Sequence, residues 1–144
     1  MANLDVPDIN VWLALSDPDH QHHSRARFYW ETQSAREIAF CRVTMLGLLR
    51  LLTHSKVMAG QPFSVTEALA AYEAFIALPE ICFVEDSPLA ESLFFQWAKA
   101  SDFRPRHWTD LWIAALAHAA GARVISFDSD FSQWNNLNFL HLKP

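Results

Sequence analysis

Segments of strand type and helix type alternate along nearly the whole of this 144-residue chain, and that order leaves few architectures open. Short apolar runs read as strands at NLDVPD (3–8), EIAFC (37–41), ICFVED (81–86), RVISFD (123–128) and NFLHL (138–142). Between them lie helical patterns at INVWLALS (9–16), PDHQHHSRARFYWETQ (18–33, starting near Pro18 to Gln21), VTMLGLLRLLTH (43–54), SVTEALAAYEAFIAL (64–78), PLAESLFFQWAKAS (88–101) and HWTDLWIAALAHAAGA (107–122). Ser64 and Glu67 form a capping-box pair, Pro88 opens a first turn, and Gly121 reads as a C-terminal cap. Repeated strand–helix alternation predicts an α/β fold, a central parallel sheet with helices on both faces. The chain shows no repeat, linker or low-complexity tract, so 1–144 reads as a single domain.

In such sheets, ligands bind beyond the carboxyl ends of the strands. Acids gather at that predicted edge. Asp8 follows the first strand and precedes a helix. Asp110 lies in the first turn of helix 107–122, beside Thr109. Asp128 and Asp130 follow the strand RVISF. Each taken singly is explained as a helix cap or a first-turn acid favoured by the helix dipole. Three separate segments delivering carboxylates to one edge is another matter. Carboxylates crowded together resist ionising unless a cation joins them. An all-oxygen set suits Mg²⁺ or Mn²⁺ better than zinc. Such an ion activates water and neutralises charge on a phosphate under attack.

Composition narrows the classes further. Hydrophobic residues make up 51% and charged residues 19%, which argues against disorder. No uncharged apolar run reaches the roughly 20 residues of a bilayer span. The opening MANLDVPD lacks the basic-then-apolar order of a signal peptide. Cys41 and Cys82 lack metal-ligand spacing and read as buried free thiols, so a cytoplasmic protein is expected. A net charge of −5 argues against broad nonspecific nucleic-acid binding, but not against a local basic groove beside an acidic site. There is no glycine-rich phosphate loop and no Gly-x-Ser-x-Gly elbow.

The stretches DINVWLAL (8–15), VTMLGLLRLL (43–52) and RHWTDLWIAALAHAAGARVISFDSDF (106–131) together resemble PIN-domain proteins, and among them VapC-type ribonuclease toxins of toxin–antitoxin pairs. The most specific part is the order Asp-x-Asn, then Thr-Asp on a helix, then a strand ending in Asp-x-Asp-Phe. The resemblance implies a PIN-like α/β/α sandwich and a Mg²⁺- or Mn²⁺-dependent endoribonuclease acting on RNA. It also implies a homodimer and a cognate VapB-type antitoxin covering the active site. Carried over by position, Asp8, Asp110 and Asp128 are the catalytic and metal-binding acids, and Asp130 supports them as a further metal ligand. Asn10, Thr44, Thr109 and Ser126 are supporting residues.

One element of that pattern is missing. The family places a glutamate in a Thr-x-x-x-Glu-x-x-Arg run, and this chain reads VTMLGLLR, with Thr44 and Arg50 present and Gly47 at or beside the acid's place. Two readings follow. Either the aspartates suffice for one ion and Gly47 lets backbone or water approach it, or the site is weakened and the chain binds RNA or antitoxin without cleaving. Phosphatase-type chemistry is less favoured, because Asn10 stands where a second acid would be required.

Other residues remain open to two readings. Arg42, Arg50, Arg104, Arg106 and His107 are candidate phosphate contacts or solvated charges; of these Arg50 and Arg106, with Trp108 as a base-stacking surface, are carried forward as RNA-binding candidates. Trp12 and Trp112 fit core packing. The apolar helix MLGLLRLL needs two partners, the sheet and another helix, a subunit or an antitoxin. His20, His22 and His23 read as a solvated helix start rather than a zinc site.

Overall fold

A computed structural model describes residues 3–100 and 103–144. In chain order it contains β1 (Leu4–Pro7), α1 (Ile9–Ser16), α2 (His23–Thr32), β2 (Glu37–Phe40), α3 (Arg42–Leu52), α4 (Val65–Ile76), β3 (Ile81–Phe83), α5 (Pro88–Ala100), α6 (Trp108–Ala119), β4 (Arg123–Ser126) and β5 (Phe139–His141). Short 3₁₀ turns cover Pro105–His107 and Ser129–Gln133. The strands form one sheet in the order β3-β2-β1-β4-β5, and every pairing is parallel. Ser101, expected as the last residue of α5, lies outside the described residues.

Alternation along the strands sorts the helices into two layers. Val6, Ala39 and Val124 point to the side where α6 supplies Leu111, Ile113, Ala114 and Ala117. Residues of α5 pack against that cluster through Phe94 and Trp97. On the other side Ile38 and Phe40 meet Trp12 and Leu13 of α1 and Leu48 and Leu52 of α3, while Ile125 meets Val11 and Tyr29. The result is the expected α/β/α sandwich. Trp12 is a core residue, stacked on Phe40 with ring centroids 3.7 Å apart.

Local chemistry explains the element ends. Pro7 closes the central strand at a point where β1 has already parted from β2, whose pairing stops at Asp5. Its missing N–H therefore costs no ladder bond there. The next amide, Asp8 N–H, donates to Ile125 O at 2.8 Å and ties the chain to β4. Glu67 and Ser64 exchange the two bonds of a capping box at α4. Gly121 adopts φ +68° just past α6, a conformation open to glycine at little cost.

Helix α2 begins later than the sequence suggests, at His23 rather than near Pro18 to Gln21. Residues before it are taken up by turns: Asp17 Oδ1 accepts from Asp19 N–H, and His20 Nδ1 accepts from His22 N–H. Side chains that bond nearby backbone compete with the helix for those amides. Strand β3 stops at Phe83, because β2 ends at Phe40 and offers no further partner beyond the Val84 N–H to Phe40 O bond.

Candidate metal centre

The acids at the carboxyl edge of the sheet are placed by three different local devices. Asp8 is the N-cap of α1: its Oδ1 accepts from Ile9 N–H at 2.7 Å. Asp110 projects from the first turn of α6. Asp128 caps the 3₁₀ turn after β4, accepting from Asp130 N–H at 2.9 Å, and so fixes the conformation that presents Asp130. The capping readings of Asp8 and Asp128 are thus correct, and they coexist with convergence in space. Carboxylate oxygens of Asp110, Asp128 and Asp130 all lie within 4.8 Å of one another.

Asp8 stands outside that tight group but is tied to it by one hydroxyl. Ser126 Oγ donates to Asp8 Oδ2 at 2.8 Å, accepts from Asp128 N–H at 2.9 Å, and accepts from Asn10 Nδ2 at 3.1 Å. Asn10 Oδ1 in turn accepts from Phe127 N–H at 3.4 Å. Asn10 and Ser126 therefore hold the last turn of β4 against the start of α1.

The electrostatics match a site built for a positive ion. Burial pushes the Asp8 carboxyl up to about 6, against the pull of the Ser126 and Ile9 hydrogen bonds, and Asp128 adds to the rise. Asp110 is pushed up to about 7, by burial first and then by the charges of Asp8, Asp128 and Asp130, with Arg106 opposing. Four carboxylates thus share one field, and the protein brings limited counter-charge. A guanidinium and an imidazole stand at the rim on Asp130, whose Oδ2 is 3.4 Å from Arg106 Nε and 3.2 Å from His107 Nε2.

The sequence offers His107 as a phosphate contact or a solvated charge. In the fold it is buried between the 3₁₀ turn before α6 and Asp130. Its Nδ1 accepts from Arg104 N–H at 3.4 Å, which leaves Nε2 to carry the proton and donate to Asp130. Nothing local in the sequence marks this pair, since its members are 23 residues apart.

Other expected residues fall elsewhere. The Thr44 hydroxyl accepts from Cys41 N–H at 2.9 Å and donates to Cys41 O at 3.1 Å, so its bonding is spent on the start of α3. Thr109 is exposed, and Arg50 is exposed and makes no ion pair among the described residues. Trp108 is 51% exposed, with one side against Phe103 and Phe94, which leaves ring surface for a ligand. Gly47 does not open a path for backbone or water. A Cβ there would overlap the Ile9 side chain, whose Cγ1 would lie at 2.8 Å, so the space is filled by Ile9.

This arrangement, a five-stranded parallel sheet with an acidic cluster at its carboxyl edge, defines a class. Residues 6–136 match the family model described as PIN domain, and the chain belongs to the PIN-domain family. Within it the chain is of VapC type. Ribonuclease VapC41 of Mycobacterium tuberculosis is 34% identical to it over 137 residues, spanning 90% of this chain and 92% of that protein. Among solved structures, Mycobacterium tuberculosis VapC20, a sarcin-ricin loop cleaving toxin, aligns with a TM-score of 0.73 at 19% identity, covering 97% of this chain and 99% of that one. VapBC2 of Rickettsia felis, bound to a DNA fragment from its promoter, aligns with a TM-score of 0.68 at 13% identity, covering 97% and 99%. No helix among the described residues is long and apolar enough to cross a membrane.

Proposed function

We propose that this chain is a Mg²⁺- or Mn²⁺-dependent endoribonuclease, the toxin of a toxin–antitoxin pair. The observation that carries the reading is the meeting of Asp110, Asp128 and Asp130 oxygens within 4.8 Å, beside a buried Asp8. Oxygens around an octahedral ion bound at about 2.0–2.1 Å stand about 3–4 Å apart, so the cluster is close to that spacing before any adjustment. Donor type, spacing and excess negative charge all fit one hard cation.

Asp110, Asp128 and Asp130, whose oxygens already meet, would hold the ion together with the buried Asp8. When bound, the ion supplies Lewis-acid charge that offsets the negative charge growing on the scissile phosphate. The chain's own residues do the positioning. Ser126 and Asn10 fix Asp8 relative to Asp128, His107 and Arg106 fix Asp130, and burial of Asp8 and Asp110 keeps water from screening the field. Arg50, Arg106 and Trp108 remain candidate RNA contacts. The VapBC complexes among the structural neighbours support a VapB-type antitoxin as partner, and a second copy of the chain and a cytoplasmic setting belong to the same proposal.

Asp8→Asn keeps the shape of the cap and removes a ligand charge. The folded variant is expected to lose RNA cleavage by about 100-fold or more, since even outer-shell changes at metal sites cost 10–100-fold. Chelator should abolish wild-type cleavage, and Mg²⁺ or Mn²⁺ should restore it. A folded Asp8→Asn chain that cleaves at the wild-type rate overturns the assignment. The filling of the Gly47 space by Ile9 favours a second reading, a weakened site that binds RNA or antitoxin without cleavage. RNA binding with no metal-dependent cleavage under any of these conditions would select it.

A further inference from the structure

Asp130 has two sides. One faces the acidic cluster. The other forms part of the wall of a separate open cleft of about 380 Å³, lined also by Arg104, Arg106, His107, Ser129 and Gln133. Both faces of this one residue belong to polar space, but of opposite character. On the cleft side, two guanidinium groups stand on a chain whose net charge is −5. Arg104 is exposed and makes no ion pair among the described residues. The Arg106 side chain is 64% exposed, with its Nε 3.4 Å from Asp130 Oδ2.

We propose that this cleft is a subsite for a phosphodiester of single-stranded RNA next to the one being cleaved. The inference rests on the nuclease reading for the location of the scissile phosphate, but its own test does not depend on cleavage. Three features argue for it. The cleft is open, so a backbone can pass through it rather than end in it. Its shared wall with the cation site puts it one residue away from the reacting centre, which suits the short spacing of successive phosphates along a strand. And its two arginine side chains are donors, standing beside the Asp130 carboxylate. A planar guanidinium presents N–H groups in a fork that fits phosphate oxygens. Gln133 Nε2 and Ser132 Oγ are already spent on backbone carbonyls, of Asp130 and Ser129. They brace the 3₁₀ turn that forms the floor, and the arginines remain to carry recognition.

Rigid geometry supports the assignment. Pro105 separates the two arginines and opens a 3₁₀ turn, with Arg104 in extended conformation at its N-cap. His107 closes that turn by accepting from Arg104 N–H and is itself buried. The Arg104 backbone is thus anchored to the same imidazole that contacts Asp130. Cation site and cleft are linked by one set of contacts, and a strand bound in one is held in register with the other.

The test uses the full chain carrying Asp8→Asn, with Mg²⁺ present, so that RNA binding is measured without turnover. The probe is a fluorescent single-stranded oligoribonucleotide, titrated by anisotropy at several salt concentrations. Each phosphate contact contributes about 0.7 to the slope of log K against log salt for single strands. Adding Arg104→Ala together with Arg106→Ala is expected to lower affinity by about tenfold at low salt and to flatten the slope by about 0.7–1.4. Arg104→Lys with Arg106→Lys, which keeps the charge, should restore most of the slope. A neutral methylphosphonate walked along the oligonucleotide should weaken the parent chain at one position and have no effect there in the double-alanine chain. Equal affinity and equal slope in parent and double-alanine chains overturn the subsite. Absence of cleavage by the wild-type chain overturns the nuclease reading instead, and a loss of slope in the alanine chain would then still establish the cleft as an RNA site.

Discussion

Two buried aspartates three residues apart, one within β1 and one just past its end, meet opposite fates. Asp5 lies toward the amino end of the sheet and is fully answered from within the chain. Arg123 grips it with Nε on Oδ1 at 2.9 Å and Nη2 on Oδ2 at 3.0 Å; Tyr29 OH donates at 2.6 Å and Ala35 N–H at 2.9 Å. Asp8 lies at the carboxyl end, and its neighbours are more carboxylates, linked through Ser126. One end of β1 carries its own counter-charge. The other end leaves it to be supplied from outside. A chain under selection for stability alone has no reason to build the second kind of site, and that contrast is the physical ground for assigning function to it.

The largest effect is expected from breaking the satisfied end. Asp5→Ala removes the partner of a largely buried guanidinium and strands a buried tyrosine hydroxyl. Loss of one member of such a pair costs about 3–5 kcal/mol. Urea unfolding of Asp5→Ala and Asp8→Asn side by side measures the asymmetry. Asp5→Ala should lose most of its stability, whereas metal-free Asp8→Asn should be at least as stable as wild type at neutral pH. Equal destabilisation by both would erase the distinction between the two ends.

Acidity sharpens the same contrast. The Asp8 value near 6 lies above the ordinary 3.8, so between these values the folded chain retains a proton that the unfolded chain has released. Stability contributed by this group therefore falls as pH rises through that window. Its penalty is absent below about pH 4 and fully present above about pH 6, with a size on the order of 3 kcal/mol. Asp110, pushed up to about 7, adds a change of the same sign at slightly higher pH. Denaturation midpoints of metal-free wild type minus those of Asp8→Asn, taken from about pH 4 to about pH 7.5, should decline along this curve. Saturating Mn²⁺ should flatten it. A difference that rises with pH in the absence of metal would show that Asp8 is compensated by groups of the chain after all.

A smaller effect is expected at the rim. His107→Leu removes the donor to Asp130, whereas His107→Gln keeps an amide donor near the position of Nε2. Mn²⁺ affinity, followed by the paramagnetic resonance of the free ion, should fall about tenfold in the leucine variant and be largely restored by glutamine. If both variants bind Mn²⁺ as wild type does, Asp130 takes its orientation from the turn alone.

Much of this was legible in the sequence. Strand–helix alternation fixed the architecture, because parallel strands need crossover helices and each segment was long enough to read. The acids at the strand ends were legible for the same reason: topology alone carries Asp8, Asp110 and Asp128 to one edge. What escaped was whatever depends on a distant partner. In LDVPD the two aspartates look alike, and distant partners, Arg123 foremost at 118 residues away, separate Asp5 from Asp8. Asp130 is presented by a local bond from its own amide to Asp128, and only its contact with His107, 23 residues away, is unmarked in the sequence. Thr44 shows the converse, a residue that matched a pattern while its hydroxyl closes a local helix start.

Gly47 yields the smallest expected effect and the finest test of what the acidic end contains. Two terms oppose each other there. Replacing a mid-helix glycine by alanine gains about 0.8–1 kcal/mol in α3. The new Cβ would meet the side chain of Ile9, and forcing extra volume into a packed site costs about 1–3 kcal/mol. Gly47→Ala alone should therefore be near neutral or destabilising by up to about 2 kcal/mol. In an Ile9→Ala background the clash is gone, and the same substitution should become stabilising by about 1 kcal/mol. Mn²⁺ affinity should not change in either case, because the space belongs to Ile9. If Gly47→Ala weakens Mn²⁺ binding while Ile9→Ala does not, the ion's surroundings extend to α3, and the missing carboxylate has been replaced by access rather than by packing.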